Sequence, residues 1–226
     1  MKIKTDKFLE VARAELSNKR TRTLLDMISS MVDNLRDSAM ASFPDVQAAL
    51  EYGRAIRAEA VANLPELLEQ FEKNAAANGA QIFWARTPEE ANAFILNLAK
   101  ERNISYITKG KSMVSEELGL NDVLIENGIE VFEADLGEFI AQLLKRPPFH
   151  IVGPAINVPV DEISDLFVEK KIIEQPTHNP VELGAAARRY LRQRFRDLEM
   201  GITGINMAVA ETGTILNVEN EGNIRF

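Results

Sequence analysis

Ile104-Ser105-Tyr106-Ile107-Thr108 and Ile129-Glu130-Val131-Phe132-Glu133 are two short apolar runs with a helical stretch between Ser115 and Gly128. They read as strand, helix, strand. Upstream, Ala80-Gln81-Ile82-Phe83-Trp84-Ala85 reads as an earlier strand. Thr87-Pro88-Glu89-Glu90 follows it and combines an N-cap, a proline at N1 and the N3 glutamate of a capping box. The helix it opens is expected to end near Asn103. Downstream, the pattern predicts a helix over 136–144, a strand at His150-Ile151-Val152, a helix over 160–170 and a long helix from about Val181 to Met200. Strands alternating with helices predict an α/β fold of three layers, α/β/α, with a mainly parallel sheet and right-handed crossovers.

The region before this unit is helical in pattern. Phe8, Val11, Ala12 and Leu16 share one face, and Leu24, Leu25, Ile28, Met31, Val32 and Leu35 continue a second amphipathic pattern. A third helix is expected at Phe43-Pro44-Asp45, with Pro44 at its first position, and a fourth from Pro65 to the Asn78-Gly79 stop. The expected organisation is therefore an amino-terminal helical region over 1–78 and an α/β domain over 79–226. Near the end, Asn206–Ala210 and Thr214–Val218 read as two strands joined by a tight turn at Glu211-Thr212-Gly213. Glu219–Asn223 turns into Ile224-Arg225-Phe226, which reads as a strand just beginning. A domain truncated at its carboxyl end is expected from this, the alternative being a short edge strand.

Composition narrows the chemistry. The 226 residues carry 26 Lys and Arg against 34 Asp and Glu, a formal charge of -8, and no cysteine. Disulfides, thiolate nucleophiles and cysteine-held zinc or iron–sulfur clusters are excluded for this chain. The acidic balance argues against an extended nucleic-acid footprint. The opening MKIKTDKFLEVARAEL interrupts its apolar residues with charges, so no signal peptide is read, and no run approaches the roughly 18 apolar residues of a membrane span. Cytoplasmic residence is the expectation. His150 and His178 lie apart, and no metal site is expected.

Thr108-Lys109-Gly110-Lys111-Ser112 follows a strand and precedes a helix, the place where α/β sheets present ligand sites. A Walker reading fails because the pattern needs glycine at position 105, which is Ser105. Lys109, Lys111 and Ser112 read either as a cradle for a carboxylate or phosphate or as a solvated basic loop. Glu211-Thr212-Gly213-Thr214 packs an acid and two hydroxyls into a turn, with Asn220 and Asn223 one strand later. Such groups read as acid, base or nucleophile, or as an ordinary polar hairpin turn. Arg188, Arg192 and Arg196 fall at i, i+4, i+8 on the long helix, either a clamp for an acidic partner or a solvated face.

Taken together, several segments resemble the LUD-domain family. They are Lys109–Glu117, Gly128–Glu138, the stretch His150-Ile151-Val152-Gly153-Pro154-Ala155, Gly201–Thr214 and Asn220-Glu221-Gly222-Asn223. Within the family, the resemblance is to the iron–sulfur subunits of bacterial lactate-utilisation systems. It implies a NagB/RpiA/CoA-transferase-like fold and a place in a cytoplasmic multi-subunit apparatus that oxidises L-lactate to pyruvate. It also implies companion subunits as partners. Iron–sulfur clusters would sit in a missing carboxyl-terminal segment or in those companions, with no cofactor held by this chain. On this reading Lys109, Lys111 and Ser112 hold a small anionic ligand, and Glu211 is the catalytic candidate. Thr212 and Thr214 line the facing turn, Asn220 and Asn223 support it, and the loop and turn are expected at one rim of the sheet. The alternatives are a stand-alone CoA-ester transferase or sugar-phosphate isomerase using Glu211, or a non-catalytic scaffold that docks subunits.

Overall fold

The computed structural model describes residues 7–149, 153–219 and 222–226. Its helical region comprises α1 (Phe8–Ser17), α2 (Lys19–Met40), α3 (Val46–Ala62) and α4 (Leu64–Ala77). Asn18 caps α2 by accepting from the Thr21 N–H, and Asp45 caps α3 by accepting from the Ala48 N–H. Pro44 therefore precedes the cap and is not the first helical residue. The shorter carboxylate side chain next to it has the geometry to satisfy an orphan amide, which a proline lacks. The amphipathic stripes of α1 and α2 form as helices, yet Phe8, Leu16 and Leu35 remain exposed.

After α4 the chain runs through residues 80–85 without forming a strand, which corrects the expectation for that run. Phe83 and Trp84 are exposed, and no described strand pairs with the segment, so its apolar composition has no ladder to complete. Then α5 (Pro88–Glu101) starts at the expected cap, the Glu90 N–H donating to Thr87 Oγ1. The reciprocal half of the box shifts by one residue: the Arg86 N–H donates to Glu90 Oε2.

Next come β1 (Tyr106–Lys109), α6 (Met113–Glu117), α7 (Leu120–Glu126) and β2 (Glu130–Glu133). The single helical stretch expected between Ser115 and Gly128 is thus two helices, broken at Gly119, whose φ is +66°. They are followed by α8 (Leu136–Leu144), α9 (Val160–Glu169), α10 (Pro180–Arg196) and β3 (Met200–Ile202). The long helix ends four residues earlier than expected, and Met200 begins a strand. The strand expected at 150–152 lies outside the described residues. The described sheet has order β2-β1-β3 with both pairings parallel, Lys109 facing Glu133 on one side and Ile202 on the other. Gly201 in β3 lets the Phe226 ring approach so closely that a Cβ there would stand 2.1 Å from it. Residues 224–226 accordingly pack as a tail and form no strand, contrary to expectation.

Alternation along β1 and β2 builds the layers. Tyr106 and Phe132 face α8, α9 and α10 in a core with Phe139, Phe167 and Leu183. Ile107 and Val131 face the opposite way, into a core with Ala99, Leu120 and Leu124 from α5 and α7. This is a three-layer α/β/α arrangement. Among the described residues no helix is long and apolar enough to cross a membrane.

The chain divides into two compact units, Ala85–Gly204 with Val218–Phe226, and the helical region through Trp84 with Ile205–Asn217. The second unit contains an antiparallel hairpin, β4 (Met207–Val209) and β5 (Thr214–Leu216). Its turn is fastened to the end of α4. Asn74 Nδ2 donates to the carbonyls of Ala210 and Glu211 at 2.8 and 3.0 Å, and Asn78 Nδ2 donates to that of Thr212 at 2.8 Å. Gly213 sits at φ +66°, and a Cβ there would lie 2.3 Å from the Ala75 backbone nitrogen. Gly213→Ala is expected to lower stability by at least about 2 kcal/mol, because it adds left-handed strain to a backbone clash. Urea unfolding with a midpoint equal to that of the parent chain would refute this account of the turn.

Candidate functional site

The carboxyl ends of β1 and β2 carry two charged residues side by side. Alternation from Ile107 and Val131 puts Lys109 and Glu133 on the same face, and their register makes them cross-strand neighbours. Lys109 is fully buried. Its ammonium donates to Ser115 Oγ at 3.0 Å and to Glu116 Oε1 at 2.5 Å, and it pairs with Glu133 Oε1 at 3.1 Å. Three donors meet three acceptors. Burial alone pushes this ammonium down, but the charges and hydrogen bonds of Glu133 and Glu116 outweigh it and hold Lys109 above its ordinary range. Lys109 is thus an interior cation committed to its own fold, not a donor presented to solvent.

Glu133 is held further by Asn121, whose Nδ2 donates to Oε1 at 2.7 Å. Gln142 bridges the strand edge, accepting from the Glu133 N–H and donating to the Val131 carbonyl. Asp135 Oδ1 caps α8 by accepting from the amides of Gly137 and Glu138, both at 3.0 Å, while its other oxygen pairs with Lys111 at 3.3 Å. Glu138 is also buried, and neither of its carboxyl oxygens has a protein partner. Burial first, and the Glu133 charge next, push its pKa up to about 8 against the opposing pull of Lys109. At neutral pH this shift favours the protonated form of Glu138. Such an arrangement can hold a proton beside paired charges.

The sequence-predicted residues fall into two groups. Lys111 and Ser112 lie on the rim after β1. Lys111 is about a third exposed, and Ser112 caps α6 by accepting from the Ser115 N–H, which leaves its hydroxyl proton available to donate. Gly204, following β3, brings its backbone to this hydroxyl, since a Cβ there would stand 3.5 Å from Ser112 Oγ. Glu211, Thr212 and Thr214 belong to the hairpin turn of the other compact unit, where the Thr212 hydroxyl donates to Thr214 Oγ1 at 2.9 Å. Glu211 is exposed. Asn223 lines a groove beside α10, and Asn220 lies outside the described residues. Among the described residues, no three His, Cys, Asp or Glu side chains are grouped to hold a metal ion.

The sequence reading gives no site role to Glu116, Asn121, Glu133, Asp135 or Glu138, although all but Asn121 lie in segments that carry the family resemblance. The available signal was the two-residue alternation, which sets Lys109 and Glu133 on the face already occupied by Ile107 and Val131.

The LUD domain model matches residues 68–226. Lactate utilization protein B of Bacillus velezensis is 38% identical over 227 residues, covering 100% of this chain and 48% of that protein. The Bacillus licheniformis protein of the same name is 39% identical over 230 residues, covering 100% and 47%. That of Bacillus cytotoxicus is 44% identical over 173 residues, covering 76% and 36%. The chain spans about half the length, or less, of these curated relatives. No solved structure matches it.

Lys109→Met is expected to cost about 3–5 kcal/mol, since it leaves Glu133 buried without its cation. Lys111→Ala should cost less than about 1 kcal/mol. Equal losses in urea unfolding would contradict the division between interior and rim lysines. Glu138 adds a pH signature. Its folded pKa of about 8 stands above the ordinary 4.5, so the folded chain keeps a proton that the unfolded chain releases. Its contribution is fully present below pH 4.5 and declines as pH rises to about 8. Glu138→Gln should therefore show a flatter stability profile between pH 5 and 8 (about the span of the two pKa values); a profile unchanged by the substitution would remove Glu138 as its source.

Proposed function

Because the chain belongs to the LUD-domain family, we propose that it is the LUD portion of a lactate-utilisation protein, one component of a multi-subunit system that oxidises L-lactate to pyruvate. The observation that carries the proposal is the alignment of the whole chain with proteins named for lactate utilization, at 38–39% identity. The rim geometry supports a ligand-binding role within that system. Lys111 offers a partly exposed ammonium steadied by Asp135, and Ser112 offers a hydroxyl beside a glycine backbone. An ammonium and a hydroxyl at one rim suit the carboxylate of a small 2-hydroxy acid. Glu138 supplies a protonated carboxyl group near the same strand ends.

Oxidation of L-lactate to pyruvate removes two electrons and two protons. The chain has no cysteine, so its donor set does not fit an iron–sulfur cluster. The electron carrier is placed by this proposal in companion subunits or in a cysteine-bearing segment outside this chain.

Deleting the encoding gene in the source organism should abolish growth on L-lactate as sole carbon source and spare growth on glucose. Complementation with the Lys111→Ala form should restore lactate growth only in part. Normal growth of the deletion strain on lactate would overturn the proposal. The purified chain, reconstituted anaerobically with iron and sulfide, should keep no cluster absorbance after desalting, and a stoichiometric retained cluster would contradict the assignment of the carrier elsewhere.

A further inference from the structure

A groove of about 710 Å³ runs beside α10, within the size range of small-molecule sites. Ala134, just after β2, and Leu136, the first residue of α8, flank Asp135 and contribute to its lining, as do Leu191 and Phe195 of α10. Arg188 and Arg192 also line it, one helical turn apart, and Asn223 adds a side-chain amide. The arginines of α10 differ in how they are used. Arg194 is committed: it pairs with Glu130 at 3.1 Å and lies 5.5 Å from the ring centres of both Phe132 and Tyr190. Arg188 and Arg192 are exposed and make no hydrogen bond or ion pair with another described residue. In a chain of net charge -8, two adjacent uncommitted guanidiniums over an apolar lining are a local inversion of the prevailing charge.

We propose that this groove binds an organic phosphate monoester, the phosphate held by Arg188 and Arg192 and the apolar body lying against Leu136, Leu191 and Phe195. Two guanidiniums match the roughly two negative charges and the three oxygens of a phosphate monoester, and their planar forks suit bidentate contacts. A carboxylate, with a single negative charge, would leave half of their positive charge uncompensated. The apolar side chains in the lining distinguish the site from a bare anion patch, which would gain nothing from an apolar substituent. The inference is independent of the lactate proposal, because neither arginine belongs to the Lys109 cluster or to the rim formed by Lys111 and Ser112.

Isothermal titration at constant ionic strength, with 1-naphthyl phosphate as the probe, tests the site. One-to-one saturable binding is expected, at least tenfold tighter than that of inorganic phosphate or of 1-naphthol. The double variant Arg188→Ala, Arg192→Ala should weaken it at least tenfold. Gly184→Leu is the second variant. Gly184 lines the groove and a Cβ there meets nothing within 4 Å, so the new side chain should occupy the groove without disturbing α10. It too should lose at least tenfold in affinity while keeping the parent's circular dichroism spectrum and a melting temperature no lower than the parent's, since a mid-helix glycine is replaced by a better helix former. Absence of saturable binding would overturn the proposal. So would 1-naphthol binding as tightly as its phosphate, inorganic phosphate binding as tightly as the ester, or an affinity that both variants leave unchanged.

Discussion

Burying the Lys109 ammonium is the condition around which the α/β unit is arranged. A cation removed from water is tolerated only when its charge is compensated and its N–H groups are filled. Glu133 has to lie directly across the ladder, α6 has to deliver Ser115 and Glu116, and Asn121 from α7 has to brace Glu133. Register follows from this. A one-residue slip of β2 would set Lys109 beside Phe132, strand the ammonium, and turn Val131 away from its core. Hydrophobic alternation and the ion pair therefore specify the same pairing, each reinforcing the other.

The same burial creates an excess of acid at the strand ends. Lys109 and Lys111 face four carboxyl groups, those of Glu116, Glu133, Asp135 and Glu138. The surplus is relieved by protonating the carboxyl group least able to find a donor, which is Glu138. A proton stored in this way is a consequence of packing before it is a catalytic device. The lactate reading uses it without having to create it.

Much of the layered architecture was legible because it rests on local patterns. The capping box at Thr87, the apolar runs at Tyr106 and Val131 and the stop at Gly79 each act within a few residues. What was not legible depends on distant partners. Residues 80–85 have the composition of a strand but no ladder, and Met200–Ile202 is a strand only because β1 lies beside it. Lys109 shows the limit most clearly. Next to Gly110 and Lys111 it reads as part of a basic loop, and only its partnership with Glu133, 24 positions later in the numbering, makes it an interior residue. Arg188 and Arg192 were visible as a helical row, whereas the groove they border is a tertiary feature.

The fastening of the hairpin to α4 bears on how the polypeptide matures. Asn74 and Asn78 emerge from the ribosome about 130 residues before the carbonyls they bind, as the sequence separations of 134 to 137 show. Until then, Asn74 and Asn78 lack those three acceptors, and the helical segment lacks its hairpin. The whole parallel sheet is synthesised in the interval. The helical unit can therefore complete its hydrogen bonding only once the turn at Gly213 has left the exit tunnel.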